Sequence, residues 1–151
     1  MNPYEAPKIA MPRSPTMSWR AALMGGAVAI GAGSVSGTMT ANASVWLDMQ
    51  RGLTMAQAYA NVSTSLLSPS ALVGSLFGIA SGYWGGQVAA KYGRGHYLME
   101  SGAAGFITVA FSLLMMYGPL GQGSPLSHVA IGVLIPLLSS LWGGWAYARR
   151  A

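Results

Sequence analysis

The sequence contains no cysteine and very few charged residues. The absence of cysteine excludes disulfide bonds, thiol redox chemistry, and metal or iron–sulfur sites built on thiolates. Charged residues make up 7% of the 151 residues, whereas soluble domains carry roughly a quarter. Because 52% of the residues are hydrophobic, a soluble protein of this size could not cover its surface with charged side chains. The composition therefore predicts a polytopic membrane protein with one membrane domain.

The longest uncharged stretch covers residues 21–47. An apolar run of about 18 residues or more is typical of a transmembrane helix. Small residues occur at every fourth position of this run, which places them on one stripe of the helix where a second backbone can come close. They are Gly25, Ala29, Gly33, Gly37 and Ala41.

Three further apolar segments predict helices at about 70–91, 97–119 and 125–148. Ser-Pro pairs at 68–69 and 124–125 open two of them, because serine is a favourable N-cap and proline at the first helical position loses no hydrogen bond. The second span has its own stripe at spacing four, formed by Gly74, Gly78, Gly82 and Gly86. We expect the first two spans to pair along these stripes, within an all-α bundle of four transmembrane helices.

The remaining segments are polar. Residues 1–18 hold four of the eight prolines and predict a flexible Pro-rich cytoplasmic tail, which leaves 19–151 as the membrane domain. Thr54 and Gln57 form a capping-box pattern and predict a short surface helix at about 54–66, with a plain loop as the alternative. A cleaved signal peptide is a rival interpretation of the first span, but that run is too long and glycine-rich for a signal core.

The Lys and Arg residues predict the orientation of the bundle. With a cytoplasmic N terminus, Arg51 alone lies on the far side, and both termini are cytoplasmic. This is a strong positive-inside bias. The basic residues on the cytoplasmic side are Lys8, Arg13, Arg20, Lys91, Arg94, Arg149 and Arg150. Because these charges are scattered at the ends of spans, the net charge of +5 does not indicate a nucleic-acid partner.

A short repeat links the second and fourth spans. Residues 81–91 and 139–149 share a serine, a Trp-Gly-Gly sequence, an alanine and a basic end. This pattern suggests two helical hairpins in the same orientation. Aromatic belts and basic ends, which recur in membrane proteins generally, explain it equally well without a duplication.

Ionisable and polar residues inside a membrane are the first place to look for function. Glu100 is the only acid near a span interior, and its position in the first turn suits the helix dipole. We interpret it as a helix-start residue paired with Lys91 or Arg94, with a proton or ion site as the alternative. The first span also carries several hydroxyls, but they point in different directions, which favours packing over a pore. A possible polar path consists of Thr38, Asn42, Gln87 and Glu100.

No catalytic or cofactor-binding set can be assembled. His96 and His128 are predicted on opposite faces of the membrane, so they cannot ligate one haem or metal within a single chain. No Ser-His-Asp set is present, and the glycine-rich runs lie inside apolar spans rather than after strands. We therefore expect no enzyme activity, no metal and no cofactor.

The first residues, Asn2-Pro3-Tyr4-Glu5-Ala6-Pro7, resemble the Asn-Pro-Tyr-x-Ala-Pro opening of many uncharacterised small bacterial membrane proteins. The resemblance covers six residues and implies a cytoplasm-facing tail in a multi-pass protein of the bacterial inner membrane. The first span also looks like the first helix of rotary-ATPase proteolipids. That family needs a mid-depth carboxylate in its ion-carrying helix, which the second and fourth spans lack, so we reject the resemblance.

These observations predict a non-enzymatic accessory or scaffold subunit in the lipid bilayer. It would associate through its glycine-rich helix faces with itself, as a homo-oligomer, or with a larger membrane complex. The alternative is a small transporter or channel subunit, with a path lined by hydroxyl and amide side chains of the first two spans.

Overall fold

The computed structural model describes residues 16–64, 69–117 and 126–151. In these ranges every regular element is a helix, which confirms the all-α part of the predicted fold class. The helices are α1 (Trp19–Gln50), α2 (Met55–Thr64), α3 (Pro69–Tyr92), α4 (Tyr97–Tyr117) and α5 (Leu126–Ala148). The helices predicted at 21–47 and 70–91 coincide with α1 and α3 to within one turn, and α4 and α5 cover the described parts of those predicted at 97–119 and 125–148. Residues 118–119 lie outside the described residues. The Asn-Pro-Tyr motif, Ser68 and Ser124-Pro125 lie outside the described residues.

The first helix has a defined start and end. Ser18 is its N-cap, and the Ser18 hydroxyl accepts a hydrogen bond from the Ala21 N–H at 3.3 Å, which pairs one of the free donors of the first turn. At the other end Gly52 adopts a φ of +89°, a conformation that glycine takes without steric cost. The chain can therefore reverse directly after α1.

The predicted capping box is confirmed at the start of α2. The Thr54 N–H donates to the Gln57 side-chain oxygen at 3.0 Å, and the Gln57 N–H donates back to the Thr54 hydroxyl at 3.4 Å. The Asn61 amide of α2 also donates to the Asp48 carboxylate of α1 at 3.4 Å. These bonds join the short helix α2 to the end of α1, against which it packs.

The four long helices surround a common core in the order α1, α3, α5, α4, with α4 also touching α1. Their buried residues concentrate at one end of the bundle, where α1 and α4 begin and α3 and α5 end. We call this the packed end. It consists of the buried residues within 21–29, 81–90, 100–109 and 139–144.

Three helices in the described part of the chain are long and apolar enough to cross a membrane. They are α1, α4 and the Val129–Ala148 part of α5. Helix α3 is outside this set because glycines, serines and Gln87 lower its mean hydropathy. Many large apolar side chains point away from the bundle, among them Met39, Leu76, Phe106 and Leu138. An apolar outer surface of this extent is rare on soluble monomers and suggests a membrane protein.

Candidate functional site

The packed end is built from pairs of adjacent small residues that repeat at spacing four. Adjacent positions lie about 100° apart on a helix, so one pair can face two neighbouring helices at once. The buried pairs are Ala21-Ala22 and Gly25-Gly26 in α1, Ser81-Gly82, Gly85-Gly86 and Ala89-Ala90 in α3, Ala104-Gly105 in α4, and Ser139-Ser140 and Gly143-Gly144 in α5.

Helices α1 and α3 approach each other closely at Gly25 and Gly85. A β-carbon at position 85 would lie 2.5 Å from the Gly25 carbonyl oxygen and 2.8 Å from the Ala29 β-carbon. A β-carbon at position 25 would in turn touch the Gly85 carbonyl oxygen. Since real β-carbons do not come this close to backbone atoms, only glycine fits at both positions.

Gly86, the neighbour of Gly85 in α3, makes the contact with α5. A β-carbon at Gly86 would meet the Ser140 backbone, and one at Gly143 would meet the Tyr83 backbone. Gly144, the neighbour of Gly143, instead packs against the side chain of Ser101 in α4. The two members of the Gly85-Gly86 pair, and of the Gly143-Gly144 pair, therefore contact different helices.

Serine hydroxyls add hydrogen bonds between helices at these contacts. The Ser101 hydroxyl of α4 donates to the Gly86 carbonyl of α3 at 2.8 Å, and the Ser140 hydroxyl of α5 donates to the Ser101 carbonyl at 2.6 Å. Both serines are fully buried. Interhelical bonds of this kind contribute about 0.6 kcal/mol each in a membrane, up to ~1.7.

The predicted packing residues fall into three groups. Gly25 and Ala29 lie against α3, as does Gly33, whose β-carbon position is 3.3 Å from the Ser81 hydroxyl. The second stripe faces α5 instead, with Gly82 against Ser139, Gly86 against Ser140 and Gly78 3.7 Å from Ile135. Gly37 and Gly74 have no described atom within 4 Å of their β-carbon positions. Gly85, which the stripe at spacing four leaves out, takes the side of α3 that faces α1.

Glu100 lies in the packed end and is completely buried. Its Oε1 accepts hydrogen bonds from the backbone N–H of Arg94 at 2.6 Å and of Ser18 at 3.0 Å. Among the described residues Oε2 has no hydrogen-bond partner. The carboxyl group also lies directly against Gly93, where a β-carbon would collide with it.

These bonds give Glu100 a different role from the pairing with a basic side chain predicted for it. Arg94 contributes its backbone N–H rather than its guanidinium, and the second donor, Ser18, is the N-cap of α1. The carboxyl group thus joins the start of α1 to the turn between α3 and α4. That turn is closed by Gly95 at a φ of +94°, a conformation available to glycine.

The residues of the possible polar path do not meet in one place. Thr38 and Asn42 are exposed on α1, away from the packed end. The Gln87 amide donates to the Tyr83 hydroxyl of its own helix at 2.8 Å, and Glu100 is in the packed end. Three other hydroxyls of α1 bond to carbonyls four residues earlier within the helix, at 2.8 to 2.9 Å; they are Ser36, Thr40 and Ser44.

A pocket opens on the surface beside Glu100. It has a volume of about 620 Å³, and Arg20, Arg94 and Ser18 are among its lining residues. His96, predicted as an interfacial residue, lies in the adjacent turn, where its carbonyl accepts from the Glu100 N–H at 2.9 Å. The side chain of His128 lies outside the part of the chain that the structure describes. Within the described ranges, no three His, Asp or Glu side chains come close enough to hold a metal ion.

Sequence reasoning missed the serine and glycine neighbours that complete the small pairs. Ser101, Ser140, Gly85 and Gly143 were given no packing role, because a search for every fourth position follows one stripe and ignores its neighbour. The signal was present as a doublet of small residues that recurs at spacing four in α1, α3 and α5. No protein-family model, curated protein or solved structure matches this chain.

Proposed function

We propose that this chain is a four-span protein of the bacterial inner membrane, with both termini in the cytoplasm, and that it acts as a non-enzymatic accessory or scaffold subunit. The observation that carries this proposal is how the packed end is filled. In the described part of the chain, glycine backbones and hydrogen-bonded serine hydroxyls fill the centre of the bundle there, which supports a role in cohesion over a polar path.

Helix α3 is the fourth span in this proposal. It packs between α1 and α5, both of which contain candidate spans, and its 24 residues extend for about 36 Å at ~1.5 Å each. That length exceeds the ~30 Å hydrocarbon core of a bilayer. Three of the glycines that lower its hydropathy, Gly82, Gly85 and Gly86, face other helices. Lipid therefore meets its exposed large side chains, such as Leu76 and Phe77.

Association with another copy or another membrane protein uses the glycines that this bundle leaves open. Gly31 and Gly37 on α1 and Gly74 on α3 have no described atom within 4 Å of their β-carbon positions. Small residues at a helix surface allow a second helix to approach closely. The glycines of the packed end are already used within the chain, so they do not contribute to this interface.

The orientation is tested by cysteine labelling, which the cysteine-free sequence makes direct. Asn61→Cys in α2 and Arg150→Cys after α5 each introduce one exposed thiol. In intact cells a membrane-impermeant maleimide should label position 61 and spare position 150 until the cells are lysed. Labelling of both or neither in intact cells would contradict four spans with cytoplasmic termini.

The scaffold role is tested by native mass spectrometry of the untagged protein extracted in a mild detergent. The variant Gly37→Leu should lose the oligomer or the co-purifying complex and remain folded, because no described atom lies within 4 Å of that β-carbon position. Val35→Leu, an exposed position on the same helix, is the matched control and should leave assembly unchanged. Equal assembly of both variants would exclude this interface. Loss of ion or solute flux in Thr38→Val with intact assembly would favour a conduit instead.

A further inference from the structure

A groove with apolar walls runs between α3 and α5. It has a volume of about 420 Å³ and is lined by Ile79, Leu134, Ile135, Leu138, Ser139 and Trp142. The single hydroxyl in this lining, that of Ser139, donates to the Ile135 carbonyl of its own helix at 2.6 Å. The groove therefore offers its occupant mainly apolar contact, and its one hydroxyl is already hydrogen-bonded.

One face of α5 extends from this groove to a positive charge. Leu134, Leu138, Trp142, Trp145 and Arg149 follow one another at spacings of three or four, so they lie on one side of the helix. The first four are exposed outward. The Arg149 guanidinium lies over the Trp145 ring, 3.8 Å from its centre. This cation–π contact holds the charge on the face that carries the groove.

The distance along this face matches one leaflet of a bilayer. Leu134 and Arg149 are fifteen residues apart, or about 22 Å at the helical rise. Half of a bilayer, with its headgroup region, measures roughly 20–22 Å. With the guanidinium at the level of the lipid phosphates, the groove extends towards the midplane, where the end of an acyl chain lies.

The shape of the walls favours a lipid over another helix. Helices that pack closely in membranes meet at small residues, whereas large side chains such as Leu138 and Trp142 form this groove. A flexible acyl chain adapts to such irregular walls. The nearby cation then selects a negatively charged headgroup, because basic sites at the cytoplasmic ends of membrane helices bind anionic lipids.

We propose that the groove between α3 and α5 binds an acyl chain of an anionic phospholipid from the leaflet at the packed end, with the lipid phosphate paired to Arg149. The inference rests on the proposed function, since α3 and α5 must both cross the membrane. The lipid then fills the outer seam between the two helices, next to their glycine contacts.

The test is native mass spectrometry of the full chain in detergent, titrated with phosphatidylglycerol and with phosphatidylcholine of the same acyl chains. The wild-type chain should retain phosphatidylglycerol preferentially. Arg149→Gln should weaken its binding about fivefold, the contribution of one cation near an anionic headgroup, and should abolish the preference. Arg150→Gln is the matched control, because it removes the same charge from a different side of the helix end, and it should change binding less than twofold.

A second pair of variants tests the acyl-chain part of the site. Leu138→Ala removes a wall of the groove and should weaken both lipids several-fold, with their ratio preserved. Leu114→Ala removes an equally exposed leucine from α4 and should have no effect. Equal loss in Arg149→Gln and Arg150→Gln, or in Leu138→Ala and Leu114→Ala, would overturn the proposal.

Two further outcomes separate the possible sources of failure. If glycerol 3-phosphate displaces phosphatidylglycerol, the site recognises a free phosphate and the lipid assignment is wrong. Alkaline carbonate extraction of the same membranes reports whether the chain is integral. A chain released by carbonate would refute the proposed function itself, whereas an integral chain with no lipid preference would refute the lipid site alone.

Discussion

Replacing Gly86 by alanine should push α3 away from α5, whereas the same replacement at Gly74 in the same helix should not. A β-carbon at position 86 would touch the Ser140 carbonyl oxygen and lie 2.8 Å from its carbonyl carbon and 2.9 Å from its α-carbon. All three atoms belong to the backbone, so no side-chain rotation relieves the collision. At position 74 no described atom lies within 4 Å.

The size of the effect follows from the distances. Carbon atoms in contact are optimally about 3.5–4.0 Å apart, and the Ser140 carbonyl carbon would lie at 2.8 Å. The α3 and α5 backbones must therefore separate by at least about 0.7 Å. A gap of this size forfeits a quarter to a half of the dispersion attraction at the atoms concerned. Overpacking of this kind costs about 1–3 kcal/mol, and the rigid neighbours here place Gly86→Ala near the upper value.

Helix propensity acts in the opposite direction in both variants. Alanine is favoured over glycine in a helix interior by about 1 kcal/mol. Gly86→Ala should therefore lower the free energy of unfolding by about 2 kcal/mol net, and Gly74→Ala should raise it by about 1 kcal/mol. The free energies of unfolding of the two variants should therefore differ by about 3 kcal/mol, one lying below and the other above that of the wild type.

The assay is reversible unfolding in mixed micelles with an increasing fraction of denaturing detergent, followed by far-ultraviolet circular dichroism. Both variants delete the same glycine flexibility from α3, so the difference between them isolates the contact with α5. A Gly74→Ala variant as unstable as Gly86→Ala would refute the reasoning, since it would show that glycine matters in α3 for a reason other than close packing.

The remaining predictions concern hydrogen bonds. Glu100→Ala should lower the free energy of unfolding by about 2–3 kcal/mol, because it leaves two backbone N–H groups without an acceptor. Glu100→Gln retains an acceptor oxygen and should recover at least half of that loss in the same detergent titration; no recovery would show that the charge matters more than the acceptor. Gln57→Ala should remove one side of the capping box with Thr54, at a cost of about 1 kcal/mol. Amide hydrogen exchange should then accelerate in α2 and stay unchanged in α4; protection of α2 equal to that of the wild type would contradict the prediction.

The amino-acid sequence predicts the local features of this protein. The helices follow from apolar runs long enough to form them, and the start of α2 follows from Thr54 and Gln57, three residues apart. Each of these signals lies within one continuous segment of the chain. It therefore does not depend on which helices pack against one another.

The neighbours of each helix were decided by the tertiary structure. Gly82 and Gly86 form a stripe that suits any partner, and whether that partner is α1 or α5 depends on the rotation of α3 within the bundle. The adjacent Gly85 turns to α1 and leaves the stripe to α5. Glu100 shows the same limit, because its acceptor oxygen bonds to Ser18, 82 positions away. Periodicity along one helix specifies which residues share a face, but only the packing of all four long helices determines what that face meets.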